Sequence, residues 1–212
     1  QYAAKLGAEP LTSQPGTRIQ YSGVGFSALA AIVEKVSGVK FEDFVQRRIF
    51  EPLNMEDAYF FLPESKRQRL ATTYSGEQGK LTPWPEDPMR PGAKFANGAG
   101  GIYATADAMA KFLDAFVRPG SAKGFLSVAG IRLMTSLQTG DLPMDGKQAR
   151  GFGLGWSVVS GPEGETTLRQ IGSFGHTGAF GTEFWGDSRI GVGVVFLAQT
   201  FLIPEDTRKS FT

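Results

Sequence analysis

The sequence predicts an α+β fold, and two observations support this prediction. Between residues 24 and 137 apolar side chains recur at helical spacing, whereas between residues 152 and 198 they follow the pattern of strands. Helices therefore come first and antiparallel strands last, an order typical of α+β proteins. The 212 residues are enough to bury a sizeable core. We assign residues 1–150 to a mainly helical region and residues 151–212 to C-terminal strands and the start of a closing helix.

Four stretches of the first region have the apolar spacing of helices, and a fifth is a short polar candidate. Gly38 and Pro52 are expected to end the first two helices, and Thr105 is expected to cap the N-terminus of the helix at residues 105–117. The first helix is expected to bury one apolar stripe, formed by Phe26, Leu29, Ala30, Val33 and Val36. The predicted ranges are 24–37, 41–50, 63–74, 105–117 and 127–137.

Four strands are predicted in the second region, over residues 152–159, 166–173, 181–185 and 190–198. A hairpin turn at residues 186–189 separates the last two strands. Because an almost continuous apolar run fills the last strand, we expect it to be central in the sheet and covered on both faces. Residues 204–211 are expected to begin the closing helix.

Composition argues against several functional classes. The 22 Lys and Arg residues balance 21 Asp and Glu residues, so a net charge of +1 supplies no field for nucleic acid or an acidic membrane. With no cysteine and one histidine, a zinc site is not expected, and no motif indicates a cofactor. No apolar stretch approaches the length of a membrane span. The absence of cysteine suits the cytoplasm and the periplasm equally, so the compartment is left open.

The single histidine, His176, lies in the glycine-rich stretch IGSFGHTGAFGT at residues 171–182. Gly175, Gly178 and Gly181 leave the backbone bare around it. Glycine at this density suits a place where another backbone or a ligand approaches closely. His176 is therefore a candidate functional residue.

Six motifs occur in order along the chain, at residues 15–22 (PGTRIQYS), 33–38 (VEKVSG), 49–55 (IFEPLNM), 100–112 (GGIYATADAMAKF), 151–156 (GFGLGW) and 175–178 (GHTG). Together they resemble the serine β-lactamase-like family, which includes class C β-lactamases, penicillin-binding DD-peptidases, family VIII carboxylesterases and related acyltransferases. The resemblance covers residues 15–198. It implies a β-lactamase/transpeptidase-like fold, in which helices flank an antiparallel sheet.

The resemblance also implies roles for five residues. The family uses Ser-x-x-Lys, then Tyr-x-Asn or Ser-x-Asn, then Lys-Thr-Gly or a His-x-Gly equivalent. Tyr21 matches the tyrosine of the second motif and would shuttle protons, aided by a neighbouring cation because an unperturbed phenol titrates at about 10. His176, Thr177 and Gly178 match the third motif on an edge strand, where they would bind the carbonyl or carboxylate side of the substrate. The Ala179 N–H would supply half of an oxyanion hole.

Two departures from the family pattern favour an esterase over a β-lactamase. Gly23 replaces the asparagine of Tyr-x-Asn, and His176 replaces the lysine of Lys-Thr-Gly, which weakens the positive charge available for a β-lactam carboxylate. We therefore expect an acyl-serine hydrolase of small-molecule esters or amides, with Trp84, Phe95 and Tyr103 as candidates for its acyl pocket. A β-lactamase, a DD-peptidase and a non-catalytic ligand-binding protein are the alternatives.

The nucleophilic Ser-x-x-Lys is not found upstream of Tyr21, where the family has it. The one match, at residues 37–40 (SGVK), closes a predicted helix, whereas the nucleophile has to open one. The chain also begins with Gln1 and not with methionine. We expect the nucleophile to lie in an N-terminal segment of the same protein that stays bound as a partner, and we expect this chain alone to be inactive.

Overall fold

A computed structural model describes residues 10–77, 80–84, 94–144, 150–161 and 168–201. The α-helices are α1 (Gly23–Ser37), α2 (Phe41–Val45), α3 (Ala106–Val117) and α4 (Val128–Thr135). A π-helix over Gln46–Phe50 continues α2, and a 3-10 helix covers Glu64–Arg69. The strands are β1 (Ala58–Tyr59), β2 (Tyr74–Glu77), β3 (Lys80–Pro83), β4 (Tyr103–Ala104), β5 (Arg150–Phe152), β6 (Ser157–Val159), β7 (Phe174–Thr177), β8 (Glu183–Asp187), β9 (Val192–Phe196) and β10 (Thr200–Phe201).

The described strands form three sheets. Strands β5 to β9 make a five-stranded antiparallel sheet in sequence order. Strand β1 pairs with β4, and β2 lies between antiparallel β3 and parallel β10. Among the described residues, no helix combines the length and the apolar character needed to cross a membrane.

Three helices begin at hydroxyl residues that cap their first turns. In each case the side-chain oxygen accepts a backbone N–H three residues later: Ser22 from Gly25 (3.1 Å), Thr105 from Ala108 (3.2 Å) and Ser127 from Gly130 (3.0 Å). The helices predicted at residues 24–37, 105–117 and 127–137 are thereby confirmed to within two residues at each end. The helix predicted at 41–50 is also present, with its second half in the π conformation.

The apolar stripe predicted for α1 is only partly buried. Ala30 is buried, but Leu29 and Val36 are 55% and 82% exposed, so the prediction was wrong for these two side chains. The described chain packs on α1 from another side, where the backbone at Gly98 approaches so closely that a Cβ would lie 2.4 Å from the Phe26 carbonyl oxygen. The helix thus has an open apolar face, formed by Val24, Leu29, Ile32 and Val36.

The stretch predicted as one strand at residues 152–159 is two strands, β5 and β6. A turn at residues 153–156 reverses the chain between them, and the Gly153 N–H donates to the Trp156 carbonyl oxygen at 2.8 Å. Gly155 occupies this turn with a φ of 85°, a conformation that favours glycine. Residues 153–156, which the sequence placed within one strand, therefore form a tight turn between two strands.

Two other boundaries in this region were also wrong. Residues 168–173 of the strand predicted at 166–173 belong to no strand, and a turn there is closed by a hydrogen bond from the Ser173 N–H to the Gln170 carbonyl oxygen at 2.8 Å. The hairpin turn between β8 and β9 covers residues 188–191 instead of 186–189. Gly191, with a φ of 69°, ends that turn. The closing helix predicted at 204–211 lies outside the described residues.

Strand β9 ends the five-stranded sheet within the described part of the chain, whereas its apolar run predicts a central strand. Val192 of this strand is 41% exposed. One face of β9 packs on α3, where a Cβ on Gly193 would lie 2.9 Å from Leu113 Cδ2. This packing accounts for the apolar character of one face of β9.

A cluster of aromatic rings around Trp156 fixes α3 on the sheet. Trp156 is 4% exposed. Its ring centroid lies 4.7 to 5.9 Å from four phenylalanine rings, two from α3 and two from strands: Phe112, Phe116, Phe174 and Phe184. Burial of rings this large dominates the energetics of a core. The central strands β7 and β8 are therefore held directly against the helix.

A buried ion pair supports the same two strands. The Arg169 guanidinium donates to the Glu183 carboxylate, and these side chains are only 7% and 6% exposed. Glu183 is the residue of β8 that lies opposite Thr177 of β7. A buried pair of this kind contributes little when intact, but removal of one partner leaves an uncompensated buried charge.

We predict that Glu183→Gln destabilises the fold by about 3 to 5 kcal/mol, because it removes the negative partner of a buried ion pair. Urea denaturation followed by circular dichroism measures this change in the free energy of unfolding. The matched control is Glu64→Gln, which removes the 88% exposed partner of Arg67 and should cost less than about 1 kcal/mol. Equal effects of the two substitutions would contradict the prediction.

Asp57 connects the 3-10 helix to the start of α3. Its carboxylate accepts hydrogen bonds from Arg69 (2.7 Å) and Lys66 (2.9 Å), and its backbone carbonyl accepts the Thr105 N–H at 3.2 Å. The hydrogen bonds from Arg69 and then Lys66 lower the pKa of Asp57 to about 2. The ionised carboxylate therefore stabilises the folded state.

We predict that Asp57→Asn lowers the Tm at pH 7 and that the difference from wild type narrows toward pH 3. The pKa of Asp57 in the folded state, about 2, is below the unfolded value of about 3.9, so its stabilising contribution is complete above that unfolded value and is lost as pH falls toward 2. Scanning calorimetry at pH 7, 4 and 3 measures the Tm difference. A difference independent of pH would show that the charge of Asp57 is not responsible.

Candidate functional site

Tyr21 is fixed at the entrance of α1. On its C-terminal side, Ser22 caps the helix. On its N-terminal side, the Ile19 N–H donates to the Pro143 carbonyl oxygen at 2.8 Å. The Tyr21 side chain is 58% exposed, and its hydroxyl has no hydrogen-bond partner among the described residues. The backbone of Tyr21 is therefore anchored on both sides, while its phenol faces an open surface.

His176 lies on β7, directly opposite Phe184 of β8, and is half-buried. The sequence placed this motif on an edge strand, and that was wrong, because β7 is the third of five strands. The pairing of β7 with β6 covers only Phe174 and Gly175, however. The reason is that β6 is short, so His176 and Thr177 extend beyond its last paired residue.

The structure brings Tyr21 and His176 together, although they are far apart in sequence. Their ring centroids are 6.0 Å apart, and the ring planes are inclined by 44°. Nδ1 of His176 lies 3.0 Å from the Thr177 carbonyl oxygen, which can only accept a hydrogen bond. Nδ1 therefore carries hydrogen, and in the neutral imidazole Nε2 is an acceptor. A phenol and an imidazole at this separation can contact the same small ligand.

A tight turn follows His176 and presents the Ala179 amide. The Gly178 N–H donates to the Thr182 carbonyl oxygen at 2.8 Å, and the Gly181 N–H donates to the Gly178 carbonyl oxygen at 3.1 Å. A Cβ on Gly178 would lie 2.2 Å from Thr182 Oγ1, which is a reason for glycine here that the sequence did not indicate. Ala179 is exposed, and its N–H has no acceptor among the described residues.

Phe152 is a residue at this site that sequence reasoning missed. Its ring centroid lies 6.4 Å from that of Tyr21, on β5 of the five-stranded sheet. The signal that could have found it is the pair of glycines on either side, Gly151 and Gly153.

The three residues that the sequence offers as candidates for the acyl pocket have other surroundings. Trp84 packs on Phe201, Tyr103 pairs with Tyr59, and Phe95 is 87% exposed.

Ser37, the only serine of the sequence with a lysine three residues later, is far from Tyr21. It is the last residue of α1, whereas Tyr21 precedes the first. At 1.5 Å per residue, the 15-residue helix separates them by roughly 20 Å. Gly38 then stops the helix with a φ of 73°. Ser37 is therefore a helix C-terminus and lies outside the candidate site.

The fold is that of known β-lactamase/transpeptidase-like proteins, as the sequence predicts. The chain superposes on EstCE1, described as a hydrolase with promiscuous acyltransferase activity, with a TM-score of 0.81 at 21% identity. The match covers 93% of this chain and 55% of EstCE1. The α+β class, with helices flanking antiparallel strands, is thereby confirmed.

The sequence matches the Beta-lactamase family over residues 1–211, and the chain belongs to that family. It is 31% identical over 175 residues to penicillin-binding protein 4 of Amycolatopsis lactamdurans, with 80% of this chain and 43% of that protein covered. It is 28% identical over 220 residues to esterase EstB of Burkholderia gladioli, with 92% and 53% covered. The chain spans about half the length of the curated relatives that it matches.

Proposed function

We propose that this chain is part of a serine acyl hydrolase with esterase activity, and that it supplies the proton-transfer and substrate-binding side of the active site. The observation that carries the proposal is the 6.0 Å separation of the Tyr21 and His176 rings. Both residues belong to motifs that resemble the family, and both lie at one open surface. The name of its relative EstB supports an esterase.

In the proposed reaction, a serine hydroxyl attacks the carbonyl carbon of an ester and forms a tetrahedral intermediate. Tyr21 accepts the serine proton and passes it to the leaving alcohol. His176 and Thr177 bind the carbonyl side, and the Ala179 N–H donates to the oxyanion. Water then attacks the acyl-serine, and the proton transfers run in the reverse order.

We propose that the serine and lysine come from a segment outside these 212 residues. This sequence offers only Ser37 in a Ser-x-x-Lys match, roughly 20 Å from Tyr21 along α1. Curated relatives are about twice as long. The open apolar face of α1, with Val36 82% exposed, gives such a segment a surface on which to pack. The chain alone is then inactive.

The preferred substrate class is an ester and not a β-lactam. Gly23 offers no side-chain amide to a substrate amide, and His176 offers a weaker positive charge than lysine to a β-lactam carboxylate. The alternative of a β-lactamase or DD-peptidase is favoured by the family to which the chain belongs. A side-chain amide at position 23 should therefore favour a β-lactam substrate, which has an amide to bind, over a simple ester, which has none.

We predict that Tyr21→Phe, in a form of the protein that carries the serine segment (the longer protein), lowers kcat for 4-nitrophenyl acetate by about 10² to 10⁴. The substitution removes the proton-carrying hydroxyl and keeps the ring that packs beside His176, so KM should change little. Steady-state hydrolysis at pH 7 measures both constants. Tyr59→Phe, which removes a hydroxyl that bonds to Asp57 and the Glu56 carbonyl, is the control.

Hydrolysis by Tyr21→Phe at the wild-type rate would exclude the proton-transfer role. A fluorophosphonate probe tests the acyl-serine step independently, because it labels an activated serine whatever the substrate. Absence of both label and hydrolysis in the wild-type longer protein would exclude the hydrolase and favour the non-catalytic, ligand-binding alternative.

We predict that Gly23→Asn folds normally and raises kcat/KM for a chromogenic cephalosporin, relative to 4-nitrophenyl acetate, by at least about tenfold. A Cβ at this position would lie 3.5 Å from the Ala99 Cβ, an ordinary contact. Gly25→Asn is the matched control, since its Cβ would also make an ordinary contact, 3.6 Å from Ser22 Oγ. An unchanged ratio of the two substrates would show that Gly23 does not decide between them.

A further inference from the structure

Phe152, Tyr21 and His176 form a row of three rings at the candidate site. Tyr21 is the middle ring, 6.4 Å from Phe152 and 6.0 Å from His176 between centroids. The planes of neighbouring rings are inclined by 42° and 44°. The proposed reaction gives roles to Tyr21 and His176 and none to Phe152.

The backbone on both sides of Phe152 is pressed against the last turn of α4 and the segment that follows it. A Cβ on Gly151 would lie 2.3 Å from Leu137 Cδ1, and a Cβ on Gly153 would lie 2.0 Å from the Met134 carbonyl oxygen. A side chain at Gly153 would collide with backbone atoms, and a side chain at Gly151 would require the Leu137 and Thr139 side chains to move. The two glycines therefore allow a contact that holds β5 at a fixed distance.

Hydrogen bonds fix Phe152 itself to the same segment. Its N–H donates to Thr139 Oγ1 at 3.0 Å. Its carbonyl oxygen accepts the Gln138 N–H at 2.8 Å and the Thr139 N–H at 3.2 Å. The backbone of Phe152 is thus held by three hydrogen bonds, and its ring lies beside Tyr21.

The ring of Phe152 is not needed to fill the core. It is half-buried, and it is absent from the partly buried apolar side chains that pack on the core of the described chain, which include Phe112 and Phe184. The ring is held rigidly beside an exposed phenol and is itself only partly covered by protein. It can therefore pack against the apolar part of a ligand and exclude water from it. Burial of each methylene of such a ligand favours binding.

We propose that Phe152 is a specificity-determining residue that contacts the apolar acyl chain of the substrate. This inference rests on the proposed esterase function. It narrows the substrate class to esters of medium-chain carboxylic acids. Burial of the methylene groups of such a chain against the ring favours binding, whereas an acetyl group has no methylene to bury. Phe152 takes no part in proton transfer, which stays with Tyr21.

The test compares kcat/KM for 4-nitrophenyl octanoate and 4-nitrophenyl acetate in the longer protein. Phe152→Ala should lower the octanoate value by at least about tenfold and the acetate value by less than about threefold, since only the longer chain loses contacts. Phe152→Leu should restore most of the octanoate value, because it returns apolar surface. If Phe152→Ala does not fold, Phe152→Gln, which fills more of the space than alanine and replaces the apolar ring by a polar amide, should show the same selective loss.

Equal losses for both esters would overturn the proposal, because they would show that Phe152 only positions Tyr21. The control is Phe61→Ala, which removes a ring that is 41% exposed on a different segment and should change neither value. A selective octanoate loss in Phe61→Ala as large as that in Phe152→Ala would also overturn it.

Binding measured without catalysis separates failure of this proposal from failure of the esterase function. N-methyloctanamide is used as the ligand, and saturation-transfer NMR gives its affinity for the wild-type longer protein and for the Phe152→Ala variant of that protein. At least about fivefold weaker binding by the variant supports the acyl-chain contact even if no ester is hydrolysed. Equal affinity overturns the contact, whether or not the protein proves to be an esterase.

Discussion

The packing of Trp156 against four phenylalanine rings is the interaction on which the rest of the structure depends. Two of those rings, Phe174 and Phe184, belong to the strands of the candidate site. Phe174 precedes His176 by two residues, so both point to the same face of β7, and Phe184 lies directly opposite His176. The imidazole is therefore placed by a core that also holds α3. Trp156 ends the GFGLGW motif that brings Phe152 to the site, so one short motif connects core and surface.

Charges at both ends of β8 specify how the strands are paired. Glu183, at its start, is paired with Arg169, and Asp187, at its end, accepts hydrogen bonds from Arg189 and Ser173. The hydrogen bonds from Arg189 lower the pKa of Asp187. A shift of β8 by one residue would move both carboxylates to the other face and separate them from these partners. The position of His176 opposite Phe184 is thus fixed by polar groups as well as by the aromatic core.

Local signals predicted the helices well, because hydroxyl caps such as Thr105 and the stop at Gly38 act within a few residues. The strands were predicted less well. Residues 168–173 of one predicted strand hold no strand, β7 begins beyond them, and turns such as that at Gly155 depend on glycine conformations that composition alone does not distinguish from strand spacing. The family resemblance, and not any periodicity, gave Tyr21 and His176 roles in one active site. Phe152 was missed because its importance depends on a contact between segments that are distant in sequence.

Residues 136–144 support two members of the ring row at once. Pro143 accepts the N–H of Ile19, just before Tyr21, while Gln138 and Thr139 hold the backbone of Phe152. Phe152 is also held by the pairing of β5 with β6, and His176 by the pairing of β7 with β8, so both rings belong to the five-stranded sheet. Tyr21 lies outside that sheet, at the entrance of α1. Changes in residues 136–144 during divergence would therefore move the phenol relative to two rings that the sheet holds in place, so related proteins can acquire new ligand shapes without rebuilding their core.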